Sequence, residues 1–275
     1  MTLAATEQDR QAFERDGVIV LRGVIDADWR DRLARAIERD IAKPGPHFHN
    51  FRAKTGRFHA TSRVREQDAD AAAYIFESPL PEIAAFLMRS HKVNLLYDQI
   101  FAKEPGTDAP SPWHQDHGVW PIEGRQVMTF WLALDPVTRQ SGGLEWLRGS
   151  HLWGRKFQPT TMGGRIYEPM PGYEPMPDIE AHRDKYEILT WDMQPGDLLA
   201  FHSLTVHGAR GNSTQSTRRR AFSVRFTGDD VRYAPRSSTM SELANPALAP
   251  GDVLDSPMFP VVWLDGQRSP TPNPY

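Results

Sequence analysis

Pro112-Trp113-His114-Gln115-Asp116-His117 is the stretch on which the reading of this 275-residue chain turns. Run as a strand, it points residues i and i+2 to the same face, so His114 and Asp116 project together. One imidazole nitrogen and one carboxylate oxygen side by side make two-thirds of the facial triad that holds non-haem Fe(II) and leaves its opposite positions open. The third ligand has to come from a distant strand folded back beside the first. His207 fits, in Phe201-His202-Ser203-Leu204-Thr205-Val206-His207-Gly208. His202 competes for the role, but it sits on the opposite parity of that run and lacks the following glycine.

An iron site of this kind usually takes 2-oxoglutarate as co-substrate, and the far carboxylate of that diacid calls for the planar fork of an arginine. Arg218-Arg219-Arg220 leads into Ala221-Phe222-Ser223-Val224-Arg225-Phe226. Counting from His207 favours Arg218, whereas strand parity favours Arg219. Phe222, Val224 and Phe226 should face one way, and Ala221, Ser223 and Arg225 the other. Arg219 shares that second face, which is expected to line the pocket.

Outward from these motifs, strand-like runs alternate with turn chemistry. The runs are 93–102, 127–135, 143–147, 197–209 and 220–227, separated by PGTDAPSP, RQSGG, QPGD and RGNSTQ. Several short strands with Gly/Pro turns suit a β-sandwich or jelly roll. Ahead of them the pattern predicts a polar helix over 5–16, a strand over 18–25, and a helix after the N-cap candidate Asp26, with Trp29, Leu33 and Ile37 recurring at helical spacing. Another helix is expected near 81–91. Residues 47–70 are polar and aperiodic and read as a long loop, and 159–187 reads as a Pro-, Met- and Gly-rich insertion; either is a candidate active-site lid. No repeat or charge-block linker divides the chain, so one domain over 1–275 is expected.

Composition narrows the function. Hydrophobic residues are 39% and charged residues 24%, enough for a packed core. A net charge of −3 is too balanced for a general nucleic-acid or membrane-surface binder. With no cysteine, disulfides, thiolate metal sites and cysteine nucleophiles are excluded. No run approaches a membrane span. The expectation is a cytoplasmic protein, monomer or homodimer, acting on a small molecule.

The sequence resembles the phytanoyl-CoA hydroxylase-like family of Fe(II)/2-oxoglutarate oxygenases, which includes ectoine hydroxylase. FERDGVIVLRGVID, PWHQDHGVWP, FWLALDPVTRQSGGLEWLRGSH, PGDLLAFHSLTVHGARGNST and RRAFSVRF carry the resemblance, in the family's order, over about residues 10 to 227. It implies a mainly β fold: a double-stranded β-helix, the cupin-like jelly roll, with N-terminal helices packed on one sheet. It implies that His114, Asp116 and His207 bind iron and that Arg219 or Arg218 holds 2-oxoglutarate, with Trp131 and Gln115 nearby and Gln99 on the preceding strand. With O₂ such enzymes oxidise 2-oxoglutarate to succinate and CO₂ and hydroxylate a C–H bond. Asp116 is intact, unlike in the related halogenases, where a small residue replaces it.

Two departures stand out. The residue two past the distal histidine is often Ser in the family and contacts oxoglutarate; here it is Ala209. The loop from His207 to the arginines is also one residue longer than usual. For the prime substrate, His117 and Trp120 just after the ligands and the 47–63 loop, with His47, His49, Arg52, Lys54, His59 and Arg63, are the candidate contacts. His47-Phe48-His49 has metal-like spacing but no evident third partner. Two other classes remain open: a cupin-type hydrolase or isomerase using the same triad with zinc, and a non-catalytic jelly roll that keeps a metal for stability.

Overall fold

The computed structural model describes residues 3–51, 54–161, 164 and 166–271. The chain opens with α1 (Glu7–Asp16), where Thr6 and Asp9 cap each other's backbone N–H groups. Gly17 ends the helix at φ 78°, and a Cβ there would lie 2.4 Å from Nδ1 of His151, so only glycine turns the chain so tightly into β1 (Val18–Leu21). Asp26 accepts from the Trp29 N–H and starts α2 (Ala27–Ala42). The hairpin β2 (Phe48–Phe51) and β3 (Phe58–Ser62) follows, then α3 (Ala69–Glu77) and α4 (Leu80–Met88). The roll itself comprises β4 (Lys92–Lys103), β5 (Ser111–His114), β6 (Ile122–Glu123), β7 (Val127–Ala133), β8 (Leu144–Leu147), β9 (Ile188–Leu189), β10 (Leu198–His202), β11 (His207–Ala209) and β12 (Arg219–Thr227). Three short strands end the chain: β13 (Arg232–Tyr233), β14 (Val261–Leu264) and β15 (Gln267–Arg268).

The strands form a jelly roll. A nine-stranded sheet runs β1-β10-β7-β12-β4-β14-β15, with β3 on the other half of β4 and β2 outside it. A four-stranded sheet, β5-β11-β8-β9, lies across it. Strand alternation sorts the side chains of β12. Phe222, Val224 and Phe226 join Phe13, Leu33, Ile37, Tyr74 and Ile83 in the core beneath the helices. Ala221 instead joins Trp131, Trp146 and Phe201 between the sheets. Each large apolar side chain so buried contributes about 1.5–3 kcal/mol.

Three elements differ from the sequence expectation. Residues 47–70 are not a loop: they hold the β2–β3 hairpin, and the unassigned residues behind them form α3. The polar side chains of β3 are buried in pairs. The His59 Nε2 and Thr61 hydroxyl lie 2.7 and 2.6 Å from Asp40 of α2, so they anchor the hairpin rather than face water. Nor do residues 197–209 form one strand. Ser203–Val206 turn the chain from the large sheet into the small one, so His202 and His207 stand on different strands. Finally, β5 stops at His114, and Asp116 already has helical φ/ψ of −68° and −36°. The two side chains converge because the chain turns there, not because a strand continues.

Asp98 on β4 is fully buried, and one of its oxygens has no partner. Burial pushes its carboxyl up to about 6, with Arg65 opposing. An acid raised in the folded state stabilises fully below its unfolded pKa, and that contribution is lost as pH climbs through about 6. Asp98→Asn should therefore raise the melting temperature at pH 8, by up to about 3 kcal/mol of stability, and make little difference at pH 4. A variant equally stable with wild type at both pH values would refute this.

Candidate active site

The two sheets enclose a cavity of about 420 Å³. His114 arrives at the end of β5 and His207 at the start of β11, its direct Cα partner across the small sheet. Asp116 stands two residues past His114. Nε2 of His114 lies 3.4 Å from Asp116 Oδ1, and Nε2 of His207 lies 3.9 Å from the same oxygen. The ligand atoms of all three lie within 4.8 Å of one another. Ligands about 2.1 Å from a metal and at right angles stand about 3 Å apart, so the group is slightly open for a metal site.

The hydrogen bonds prepare both rings. Nδ1 of His114 is 2.7 Å from the Pro112 carbonyl, and Nδ1 of His207 is 3.0 Å from the Thr205 carbonyl. A carbonyl only accepts, so each Nδ1 carries a proton and each Nε2 faces the centre, where a bound metal would take its lone pair. Asp116 Oδ2 is buried and without a partner. Burial would raise the Asp116 carboxyl, but the bond to His114 and the nearby His207, His114 and Arg225 hold it down at about 2. Burial and His114 push His207 down to about 4, so it is neutral. Burial lowers His114 too, yet Asp116 wins and its proton is held more tightly than usual. Positive charge is favoured where the two Nε2 atoms and the carboxylate meet. The donor set and the orphaned oxygen fit a divalent cation.

Trp131 and Arg219 also line the cavity, with the Arg219 guanidinium 5.3 Å from the Trp131 ring centre. Arg219 is 3% exposed and makes no ion pair among the described residues; its Nε has no partner. Burial lowers it to about 10, against Asp135, so it stays charged at neutral pH. Its Cα partner across the sheet is the fully buried Lys103, whose ammonium donates to the Arg210 carbonyl. Burial and the charge of Arg219 both push Lys103 down. A buried guanidinium that lines the cavity and has no ion pair among the described residues is suited to an anion. Gln99 lines the cavity between this end and the metal-binding group.

Other expectations are corrected. Arg218 points out of the roll, paired with Glu104 and Glu38 at 2.9 and 2.8 Å. Gln115 alternates away from its neighbours. Its amide donates to the Arg155 and Leu204 carbonyls and accepts from the Phe157 N–H, so it clamps loops and does not line the cavity. Neither His117 nor Trp120 lines it. Nδ1 of His117 lies 3.2 Å from the Ser203 hydroxyl, and burial pushes the ring down to about 3. Trp120 is fully buried and donates to the Tyr97 hydroxyl, supporting a wall residue from behind. Of the 47–63 candidates, His49 lines the cavity, His47, Lys54, His59 and Arg63 do not, and Arg52 lies outside the described residues. His202 bonds the Arg125 carbonyl and stacks on His151, away from the triad.

Sequence reasoning missed several lining residues. Tyr97 and Phe101 alternate with Asp98 and Ile100 along β4, and this period-two pattern was the available signal. Arg225 and Ser223 were placed on the pocket face by parity but given no role. The insertion contributes Thr160, Thr161 and Tyr167, and Met240 and Glu242 enter from the C-terminal segment; neither contribution had a local signal.

A jelly roll with two histidines and one aspartate gathered in the lining of its cavity defines the class of non-haem iron oxygenases. The chain belongs to the phytanoyl-CoA dioxygenase (PhyH) family, whose model matches residues 13–221. It is 24% identical over 253 residues to the peroxisomal phytanoyl-CoA dioxygenase of Homo sapiens, covering 86% of this chain and 72% of that protein. Among solved structures it is similar to the non-heme alpha ketoglutarate dependent carbocyclase SnoK from nogalamycin biosynthesis, with TM-score 0.77, 20% identity, and 94% and 96% of the two chains covered. It is also similar to EctD from S. alaskensis with 2-oxoglutarate and 5-hydroxyectoine, with TM-score 0.68, 19% identity and coverage of 98% and 90%. No helix among the described residues is long and apolar enough to cross a membrane.

Proposed function

We propose that the protein is an Fe(II)- and 2-oxoglutarate-dependent oxygenase that hydroxylates an aliphatic C–H of a small metabolite, releasing succinate and CO₂. His114, Asp116 and His207 hold the iron, and Arg219 grips the far carboxylate of 2-oxoglutarate with Trp131 packed against it. Bound iron and 2-oxoglutarate together supply the activation of O₂. The chain supplies the rest. The Pro112 and Thr205 carbonyls keep both imidazoles in the tautomer a metal needs. Asp116 provides the single negative charge, and the enclosing sheets limit water around the reacting atoms.

One observation carries this reading: an open His-Asp-His group and an unpaired buried guanidinium line the same cavity. A zinc hydrolase with the same triad has no need of that guanidinium. The test is to incubate the purified protein with Fe(II), 2-oxoglutarate and O₂ and to follow succinate. Succinate formed only with all three present is expected. Its absence, together with no binding of 2-oxoglutarate to the metal-loaded protein, would overturn the proposal.

A further inference from the structure

We propose that Arg225 selects the prime substrate by binding a carboxylate, or an anionic group of similar size, on an otherwise apolar molecule. The consequence for catalysis rests on the oxygenase reading above; the binding itself does not.

Arg225 stands on the cavity face of β12 in alternation with Ser223 and Arg219. It is 5% exposed, with its guanidinium 4.5 Å from the Tyr97 ring centre and 5.8 Å from that of Phe101. These rings hold the plane of the cation but accept little from its edge. Among the described residues the side chain makes no hydrogen bond and no ion pair, and both Nε and Nη1 are buried without a partner. Folded proteins almost always pair a buried charge, so an arginine left with free donors in a cavity is built for a ligand.

Its surroundings say which ligand. Arg225 lines the same cavity as His114, Asp116 and His207, so a group bound to it shares that cavity with the metal-binding cluster. Arg219 is six residues along the same strand, about 20 Å at the usual rise, so the two guanidinia serve two different anions. Glu242 is the other acid of the lining. It already faces His49, whose Nε2 is 3.4 Å from Oε1, and both groups are shifted toward their charged forms by that contact. The Tyr97 and Phe101 rings lie against Arg225, and Val119 and Met240 line the same cavity. A single anionic group on a hydrophobic body matches that wall, whereas a polyanion would leave charge against the rings.

Adamantane-1-carboxylate and adamantane-1-carboxamide present the same rigid apolar body with and without the charge. In equilibrium dialysis the wild-type protein should bind the carboxylate at least about tenfold more tightly than the amide. That preference should persist with N-oxalylglycine saturating the Arg219 end. It should fall to about one in Arg225→Gln and be intermediate in Arg225→Lys. Arg219→Gln should lose N-oxalylglycine while keeping the preference. The melting temperature of unliganded Arg225→Gln should match or exceed that of wild type, since no partner is stranded. A wild-type protein that binds both probes alike or neither overturns the proposal. So does a preference that survives in Arg225→Gln or vanishes with N-oxalylglycine. If N-oxalylglycine fails to bind wild type while the preference still tracks Arg225, the oxygenase reading fails and the anion site stands.

Discussion

Asp116→Ala should abolish 2-oxoglutarate turnover, by at least about 10³-fold, and weaken Mn(II) or Fe(II) binding by at least about 10²-fold. The physical reason is charge as much as coordination. Two neutral imidazoles bring no negative charge, and both are buried where a divalent cation without a counter-charge is costly. Asp116 is the one carboxylate of the group, and both histidine Nε2 atoms face its Oδ1. With it gone, His114 loses the partner that holds its proton, while His207 stays neutral. The apo variant loses the Oδ1 contact to His114 but strands no partner at Oδ2, so its melting temperature should fall by no more than about 5 °C. His207→Ala should match the loss of metal and turnover. Equilibrium dialysis with Mn(II), succinate assays and apo melting curves check all three readouts. Metal affinity retained in either variant would remove the triad from the reaction.

Arg219→Met should raise the KM for 2-oxoglutarate by about 10²-fold while leaving metal affinity within about twofold of wild type. The guanidinium is buried, stays charged, and has no ion pair among the described residues, so its donors are free for a diacid. Methionine fills similar space over Trp131 and strands no partner, so the fold should tolerate the change. Arg218→Ala is the control. Its side chain is engaged by Glu38 and Glu104 outside the cavity, and the KM for 2-oxoglutarate should move less than about twofold. Equal effects in the two variants would mean that the co-substrate lies elsewhere.

The jelly roll and the triad were legible because both depend on short patterns. Phe222, Val224 and Phe226 against Ser223 and Arg225 is a period-two code, and a strand has no other way to satisfy it. The choice of Arg219 over Arg218 follows from the same parity, and its place in the cavity reflects that. A sequence pattern misleads where the element that carries it ends early. His114 and Asp116 were put on one strand, yet β5 ends between them. His202 and His207 were likewise put on one strand, which in fact changes sheet at Ser203–Val206. In both cases the site is made by a turn, and turns carry weaker sequence signals than strands. The 47–70 segment failed for a different reason. Two of its polar side chains, His59 and Thr61, are bonded to Asp40 of α2, and composition cannot tell such a buried polar cluster from solvated side chains.

From its residues alone, this chain specifies the strand alternation, the metal-binding donor types and the parity that aims Arg219 inward, since each is local and backbone geometry enforces it. Tertiary structure alone decides which side chains share the cavity. Tyr97, Thr160, Met240 and Glu242 come from four distant segments, and no local period encodes their meeting. It also decides which of the many arginines is left unpaired. Arg218 and Arg220 find Glu38 across the fold, whereas Arg219 and Arg225 find no carboxylate among the described residues. Burial without a partner is a property of packing, and in this protein it separates a structural arginine from a ligand-binding one.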